Sequence, residues 1–277
     1  PYASAIDWDK VITDEDNSKV MGTVYIWNQD SAEVGYNNVS DYLQYNMTGG
    51  ASNTATGNIA SGQGFFIKAT EASTITFKPT HQINGANTDF YRGKAAKDKG
   101  TKDSKKQNRS WFTFTRGTQV NTLLVGFLED ATNQFDRLYD APFDTDEASL
   151  AFYSLVKKKY KASIQGLPLL KRDKKVVKLG FTVDQIGEHT IAIQDEHIDP
   201  EYYIYLRDRE QKVTVDLRQR SYTFSIDSIG ENNTRFKLIY TKKKRKATTS
   251  SKEENPIVTE IDSKDFSVYV DEVKDLI

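Results

Sequence analysis

The chain has no cysteine, so a disulfide framework, thiol catalysis and Cys-ligated zinc are excluded. Its three histidines, His81, His189 and His197, leave little material for imidazole chemistry and form neither an HxH nor an HExxH pattern. No run approaches the roughly 18 apolar residues needed to span a bilayer. An excess of one charge is missing too: 38 Lys/Arg against 39 Asp/Glu leave a net charge of −1, which argues against a whole-chain polyanion binder. No G-x-S-x-G elbow is present. Gly62-Gln63-Gly64 is the nearest approach to a glycine loop, but it lacks the P-loop lysine and a following helix, and it reads as a tight β-turn. The chain opens Pro1-Tyr2-Ala3-Ser4 with no initiator Met or signal-peptide pattern, and it stops at Ile277 just after an alternating segment. It reads as a piece of a larger chain.

Aromatic residues are abundant: 15 Tyr, 14 Phe and 3 Trp supply the core material that a hydrophobic content of 37% otherwise leaves short. Alternation with period 2 recurs from end to end, and a 3.6-residue period is scarce. The alternation predicts strands over residues 23–27, 64–68, 74–77, 110–115, 122–128, 150–156 and 160–164. A second group follows at 176–183, 189–194, 202–206, 212–217, 221–226 and 234–240. Gly, Asn, Asp and Pro occupy the breaks, where positive φ or side-chain turns are needed. One helical turn is expected near residues 5–11. Short strands at this spacing indicate an all-β chain of sandwich or jelly-roll type. Composition shifts divide it into a jelly-roll-like domain (1–165), an immunoglobulin-like sandwich (166–241), a solvated linker (242–262) and the start of a third β segment (263–277).

Local features that carry chemistry are few. Residues 92–109 hold eight Lys/Arg against Asp98 and Asp103, a local charge of +6. A phosphate or acidic-glycan contact would use such charge, but so does a long solvated loop. No aromatic is interleaved between Gly93 and Asn108, so a nucleic-acid groove is not expected. The basic run 242–246 has the same two readings. Acidic clusters at Asp7, Asp9, Asp14, Glu15 and Asp16, and at Asp140, Asp144, Asp146 and Glu147, could supply hard oxygen ligands to Ca²⁺; neither has the EF-hand pattern, and turn-forming Asp explains them as well. Tyr2, Trp8, Trp27, Tyr36, Tyr42 and Tyr45 could stack on sugar faces or simply fill a core. No catalytic, metal or cofactor residue is proposed.

Several blocks resemble a known family. Pro1-Tyr2-Ala3-Ser4-Ala5-Ile6-Asp7-Trp8 is similar to the end of a G-W-N-L-I-G-N-P-Y-P-S-x-I-D-W signature of large secreted Bacteroidota proteins. Thr23 to Asn28, Ile59 to Ala69, Phe135-Asp136-Arg137-Leu138-Tyr139-Asp140-Ala141 and Arg235-Phe236-Lys237-Leu238 resemble further blocks of that family, in the same order. The resemblance implies a C-terminal stalk region that precedes a sorting domain. Export would then run through the type IX secretion machinery, its outer-membrane translocon and shuttle protein, to the cell surface or medium. Phe266, Val268 and Val270, on one face of an alternating segment, would contact that machinery, although Val268-Tyr269-Val270-Asp271 stands where Y-P-N-P is common. Asp30-Ser31-Ala32 and Asp227-Ser228-Ile229 resemble a periplasmic O-glycosylation acceptor of Bacteroidota, making Ser31 and Ser228 the candidate sites. The expected function is a non-catalytic, adhesin-like interaction region. The alternative is a carbohydrate-binding accessory module of a secreted glycoside hydrolase; surface glycans are a candidate partner whose binding would favour that alternative, and no nucleic acid is expected.

Overall fold

A computed structural model of the chain describes residues 3–27, 42–51, 55–84, 107–143, 149–157 and 160–245. The first strands are β1 (Ala5–Asp7), β2 (Val20–Trp27), β3 (Tyr42–Asn46), β4 (Gly49–Gly50), β5 (Asn58–Ile59), β6 (Phe65–Ala69) and β7 (Gln82–Ile83), with helix α1 (Trp8–Thr13) after β1. From Arg109 follow β8 (Arg109–Arg116), β9 (Gln119–Leu128), β10 (Ala141–Pro142), β11 (Leu150–Val156), β12 (Tyr160–Pro168) and β13 (Lys174–Val183). The chain continues through β14 (Gly187–Glu196), β15 (Tyr203–Asp208), β16 (Thr214–Asp216), β17 (Tyr222–Ile226), β18 (Gly230–Asn232) and β19 (Phe236–Thr241). The chain is all-β.

Two small sheets form the first part, ordered β5-β1-β7 and β4-β3-β2-β6. Asp7 caps α1 by accepting the Asp9 N–H, which is why the helical turn begins at Trp8, later than the sequence indicates, and Ala5–Asp7 pairs as a strand. Trp8 is fully buried and donates its indole N–H to the Gly22 carbonyl at 2.7 Å. Around it Val11, Ile12, Val24, Ile26, Tyr45 and Ile59 make one core.

The expected strand at 74–77 does not form. In its place Asn17, fully buried, uses its side-chain amide as a strand partner: Nδ2 donates to the Thr76 carbonyl at 2.9 Å and Oδ1 accepts the Thr76 N–H at 2.8 Å. The segment is extended and paired, but to a side chain. The turn at Gly62 does form, with Gly62 at φ +82° and the Gln63 N–H closing on the Ala60 carbonyl.

The large sheet runs β16-β15-β19-β13-β11-β12-β9-β8-β14-β17, with β10 on β12 and β18 on β13. It folds over on itself as a sandwich, since Phe224 of β17 lies 6.2 Å from Phe114 of β8 and 4.8 Å from Phe236 of β19. One core cluster joins Phe112, Phe127 and Phe152 to Leu206, Leu238 and Tyr240. The expected junction at 165/166 falls inside β12, whose residues Ile164–Pro168 pair in parallel with Leu124–Leu128 of β9. In this geometry the change of sheet lies before Arg109. The expected linker also begins later than residue 242: the Lys242 N–H donates to the Asp173 carbonyl, and the Arg245 N–H to the Tyr205 hydroxyl at 2.9 Å. Residues 246–262 and the third β segment, with Phe266, Val268 and Val270, lie outside the described residues, as does Ser31.

Candidate functional site

Alternation on β2, β3 and β6 puts Val24, Ile26, Leu43, Tyr45, Phe65 and Ile67 into the small core and turns the intervening residues to the opposite face. That face has two halves. Toward the large sheet it is sealed by polar contacts: the Thr23 hydroxyl donates to the Asp140 carbonyl, the Thr48 hydroxyl donates to the Tyr139 carbonyl at 2.7 Å, and Ser163 donates to the Gln44 amide oxygen. Trp111 donates its indole N–H to the Gly50 carbonyl at 2.9 Å, and the Tyr25 hydroxyl donates to the Pro142 carbonyl.

Away from the seam the same face carries rings. Trp27 and Tyr42 are cross-strand partners with centroids 5.1 Å apart, and Tyr42 meets Phe66 at 5.7 Å, both edge-to-face. Phe66 is 62% exposed, a cost in water that a buried position would avoid. Lys68 lies over the Tyr25 ring at 5.8 Å and borders the strip with a cation. Three rings held by regular strands form a stepped apolar surface with a charged edge. Such a surface can stack on pyranose faces or receive a flat apolar side chain.

The aromatic residues singled out in the sequence divide cleanly. Trp8 and Tyr45 belong to the core, Trp27 and Tyr42 come together on the strip, and Tyr2 and Tyr36 lie outside the described residues. Phe66 was not singled out. The signal that finds it is the alternation in Phe65-Phe66-Ile67, which sends one phenyl inward and the next outward.

The acidic clusters are structural where described. Asp14 caps a 3₁₀ turn (Glu15–Asn17), and its carboxylate takes the Lys78 ammonium at 2.8 Å and His81 Nε2 at 3.0 Å. These donors hold Asp14 down at about 2, with the Lys78 hydrogen bond the largest cause. His81 Nδ1 accepts the Lys78 N–H, so both of its ring nitrogens are committed. Asp140 is fully buried; Oδ1 accepts the Gly166 N–H and Oδ2 the Asp136 N–H, yet desolvation outweighs them and pushes the group up to about 7. Asp144, Asp146 and Glu147 lie outside the described residues. Among the described residues no group of three His, Asp or Glu is placed to hold a metal ion. His189 stacks on Phe114 at 5.2 Å, and burial lowers its basicity.

The block from Phe135 to Ala141 is a clasp. Asp136 accepts the Thr132 hydroxyl, Arg137 reaches the Val20 carbonyl, Leu138 packs on the small core and Asp140 ties down β12. In the Arg235-Phe236 block, Arg235 is 4% exposed and its Nε and Nη2 donate to Asp208 Oδ2 at 3.0 and 2.9 Å. Ser228 is exposed, but β17 and β18 pair with β14 and β13 respectively, so it sits on a connection between partners and not at a hairpin tip. The basic stretch from Arg92 is outside the described residues up to Lys106; Arg109 at its end is buried and donates to the Thr48 and Gln107 carbonyls. Among the described residues no helix is long and apolar enough to cross a membrane.

Residues 1–240 match the model of a family described as a domain of unknown function (DUF8693). No curated protein and no solved structure matches the chain.

Proposed function

This chain belongs to the DUF8693 family, and from that premise we propose that it is a non-catalytic, adhesin-like interaction region of a secreted or cell-surface protein. The observation that carries the reading is the strip of Trp27, Tyr42 and Phe66, held on regular strands beside a sealed inter-sheet seam. Rigid strands present the rings without an ordering cost on binding, as a recognition surface requires. Two of the three histidines fit the same reading, since His81 is committed at both nitrogens and His189 is packed between phenyl rings.

The exposed strip also favours the second reading, a carbohydrate-binding accessory module of a secreted glycoside hydrolase, because flat rings at a sheet surface suit sugar faces. Export through the type IX machinery, by contact of Phe266, Val268 and Val270 with the translocon and shuttle protein, rests on the sequence resemblance. So does modification at Ser31 and Ser228.

A glycan array tests the strip. Saturable binding to a defined polysaccharide, lost in Phe66→Ala and Trp27→Ala with unchanged thermal melting, is the expected result. Binding that survives both substitutions would remove the strip from the argument. Deleting residues 263–277 in the native host is expected to strand the protein in the periplasm; normal surface levels would overturn the export reading.

A further inference from the structure

The far half of the large sheet turns a second face outward. Along β13, Val177 and Leu179 point into the core, so Lys174, Val176 and Lys178 point out. Leu238 and Tyr240 of β19 and Ile204 and Leu206 of β15 are core residues too, which turns Lys237 and Arg207 to that same outer face. The register then sets three cations in one line: Lys178 is the direct partner of Lys237, and Lys237 of Arg207. Lys178 is exposed and the other two are half-buried. Neighbouring strands lie about 4.8 Å apart, so the line is roughly 10 Å long.

Like charges directly opposite each other cost a sheet stability. The acids nearby do not relieve that cost: Glu201 takes Lys242, Asp208 and Glu210 take Arg235, and Asp216 accepts the Arg218 N–H. Among the described residues none forms an ion pair with Lys178, Lys237 or Arg207. Arg207 is held in place, its Nη1 donating to the Lys212 carbonyl at 2.7 Å and the Thr214 hydroxyl at 3.0 Å, so Nε and Nη2 stay available. A basic turn runs alongside. Tyr205 lies two residues before Arg207 on the same face, and its hydroxyl accepts the Arg245 N–H, which brings the exposed run Lys243-Lys244-Arg245 back over this face.

We infer that this face binds an acidic polysaccharide laid across β13, β19 and β15, with sugar carboxylates on Lys178, Lys237 and Arg207 and the basic turn flanking them. Fixed cations at regular strand spacing suit a polymer that repeats its charge, and the Arg207 fork can meet a carboxylate with two N–H groups. Val176, 39% exposed beside Lys178, offers an apolar contact to the C–H side of a sugar ring. β19 and β15 are laddered on both sides, so an acidic peptide finds no free backbone edge to pair with there. The site lies on the large sheet and is separate from the aromatic strip, so neither test decides the other.

Calorimetric titration of the full chain with alginate oligomers, dextran oligomers and polyglutamate tests the inference. Alginate is expected to bind saturably and with an affinity that falls as salt rises. Dextran should give no binding, and polyglutamate should bind at least tenfold more weakly. Replacing both Lys178→Gln and Lys237→Gln should weaken alginate binding at least tenfold, while the melting temperature holds or rises because a like-charge pair is relieved. Lys10→Gln, at an exposed lysine on α1, and Phe66→Ala on the strip should leave alginate binding unchanged. No alginate binding, or an affinity unchanged in the double variant, would overturn the site. An equal loss in Lys10→Gln would show general charge attraction and overturn it as well. Polyglutamate bound as tightly as alginate would overturn the polysaccharide as the ligand.

Discussion

Truncating Asp208 to Ala should be among the most damaging single changes in the large sheet. Asp208 is 1% exposed and works at both oxygens: Oδ2 accepts two bonds from Arg235 and one from the Tyr222 hydroxyl, and Oδ1 accepts the Glu210 and Gln211 N–H groups. Its removal leaves Arg235 buried between Phe224 and Phe236, at 4.6 and 5.0 Å. Breaking one side of a buried ion pair costs about 3–5 kcal/mol. Glu210, at 3.2 Å from Arg235 but half-exposed, stays as a partial counter-charge, which places the expected loss near the lower end, about 3 kcal/mol. For a chain of this size that is a drop in Tm of roughly 6–12 °C. Urea denaturation of Asp208→Ala, Arg235→Leu and the double variant forms a cycle. The double variant should be less destabilised than the sum of the singles by at least about 1.5 kcal/mol, because no charge is then left unpaired. Raising the salt should leave the deficit intact, since screening hardly reaches a pair this buried. A single-variant loss under about 1 kcal/mol, or additivity within about 0.5 kcal/mol, would refute the account.

Asp140 should make stability fall with rising pH. The unfolded chain loses this proton near pH 4 while the folded chain holds it to about 7, so the folded state binds more protons between those values. Denaturation midpoints from pH 4 to 7 should decline, and Asp140→Asn should flatten that slope even as it destabilises by setting an amide N–H against a backbone N–H. Asp14 has the opposite sign: its folded value of about 2 lies below the ordinary 3.8, so its contribution is present above pH 4 and lost as pH falls toward 2. Asp14→Asn should flatten that acid limb, read by circular dichroism against pH. Gly180→Ala should cost about 1–3 kcal/mol in urea denaturation, because a methyl there runs into the Tyr153 ring and the Asn233 side chain.

Much of the large sheet was legible because its strands either alternate or form short apolar runs between turn residues. Tyr222–Ile226 sends every second residue into the core, whereas Leu150–Val156 is a short apolar run buried on both faces, Phe152 in the main core and Tyr153 in a second cluster. The division of β13 among three partners, β11, β18 and β19, was not legible, because Lys174–Val183 reads as one strand whichever partners it takes. That silence left the partners of β13 unread. β3 was missed since Tyr42-Leu43-Gln44-Tyr45-Asn46 mixes amides with rings; Gln44 and Asn46 are buried only because Ser163 and Thr23 arrive from distant sequence to pair with them. The side-chain strand partner Asn17 has no sequence signature, because a lone Asn is ordinary in any turn. Asp140 was read as one of a surface cluster, and only its burial by β12 turns it into a clasp.

Strand β19 lies between β13 and β15 and is laddered to both, from Lys237 to Thr241 on β13 and from Phe236 to Thr241 on β15. A pull on the chain beyond Thr241 would load those two ladders along the strand axis. Such loading strains many hydrogen bonds at once, whereas peeling an edge strand breaks them singly. The parallel ladder of β9 on β12 adds a second element that cannot be unzipped from a hairpin end. Forced unfolding is governed by the unfolding barrier and not by equilibrium stability. The placement of β19 therefore means that a pull applied at Thr241 meets two ladders in shear before any edge strand can peel.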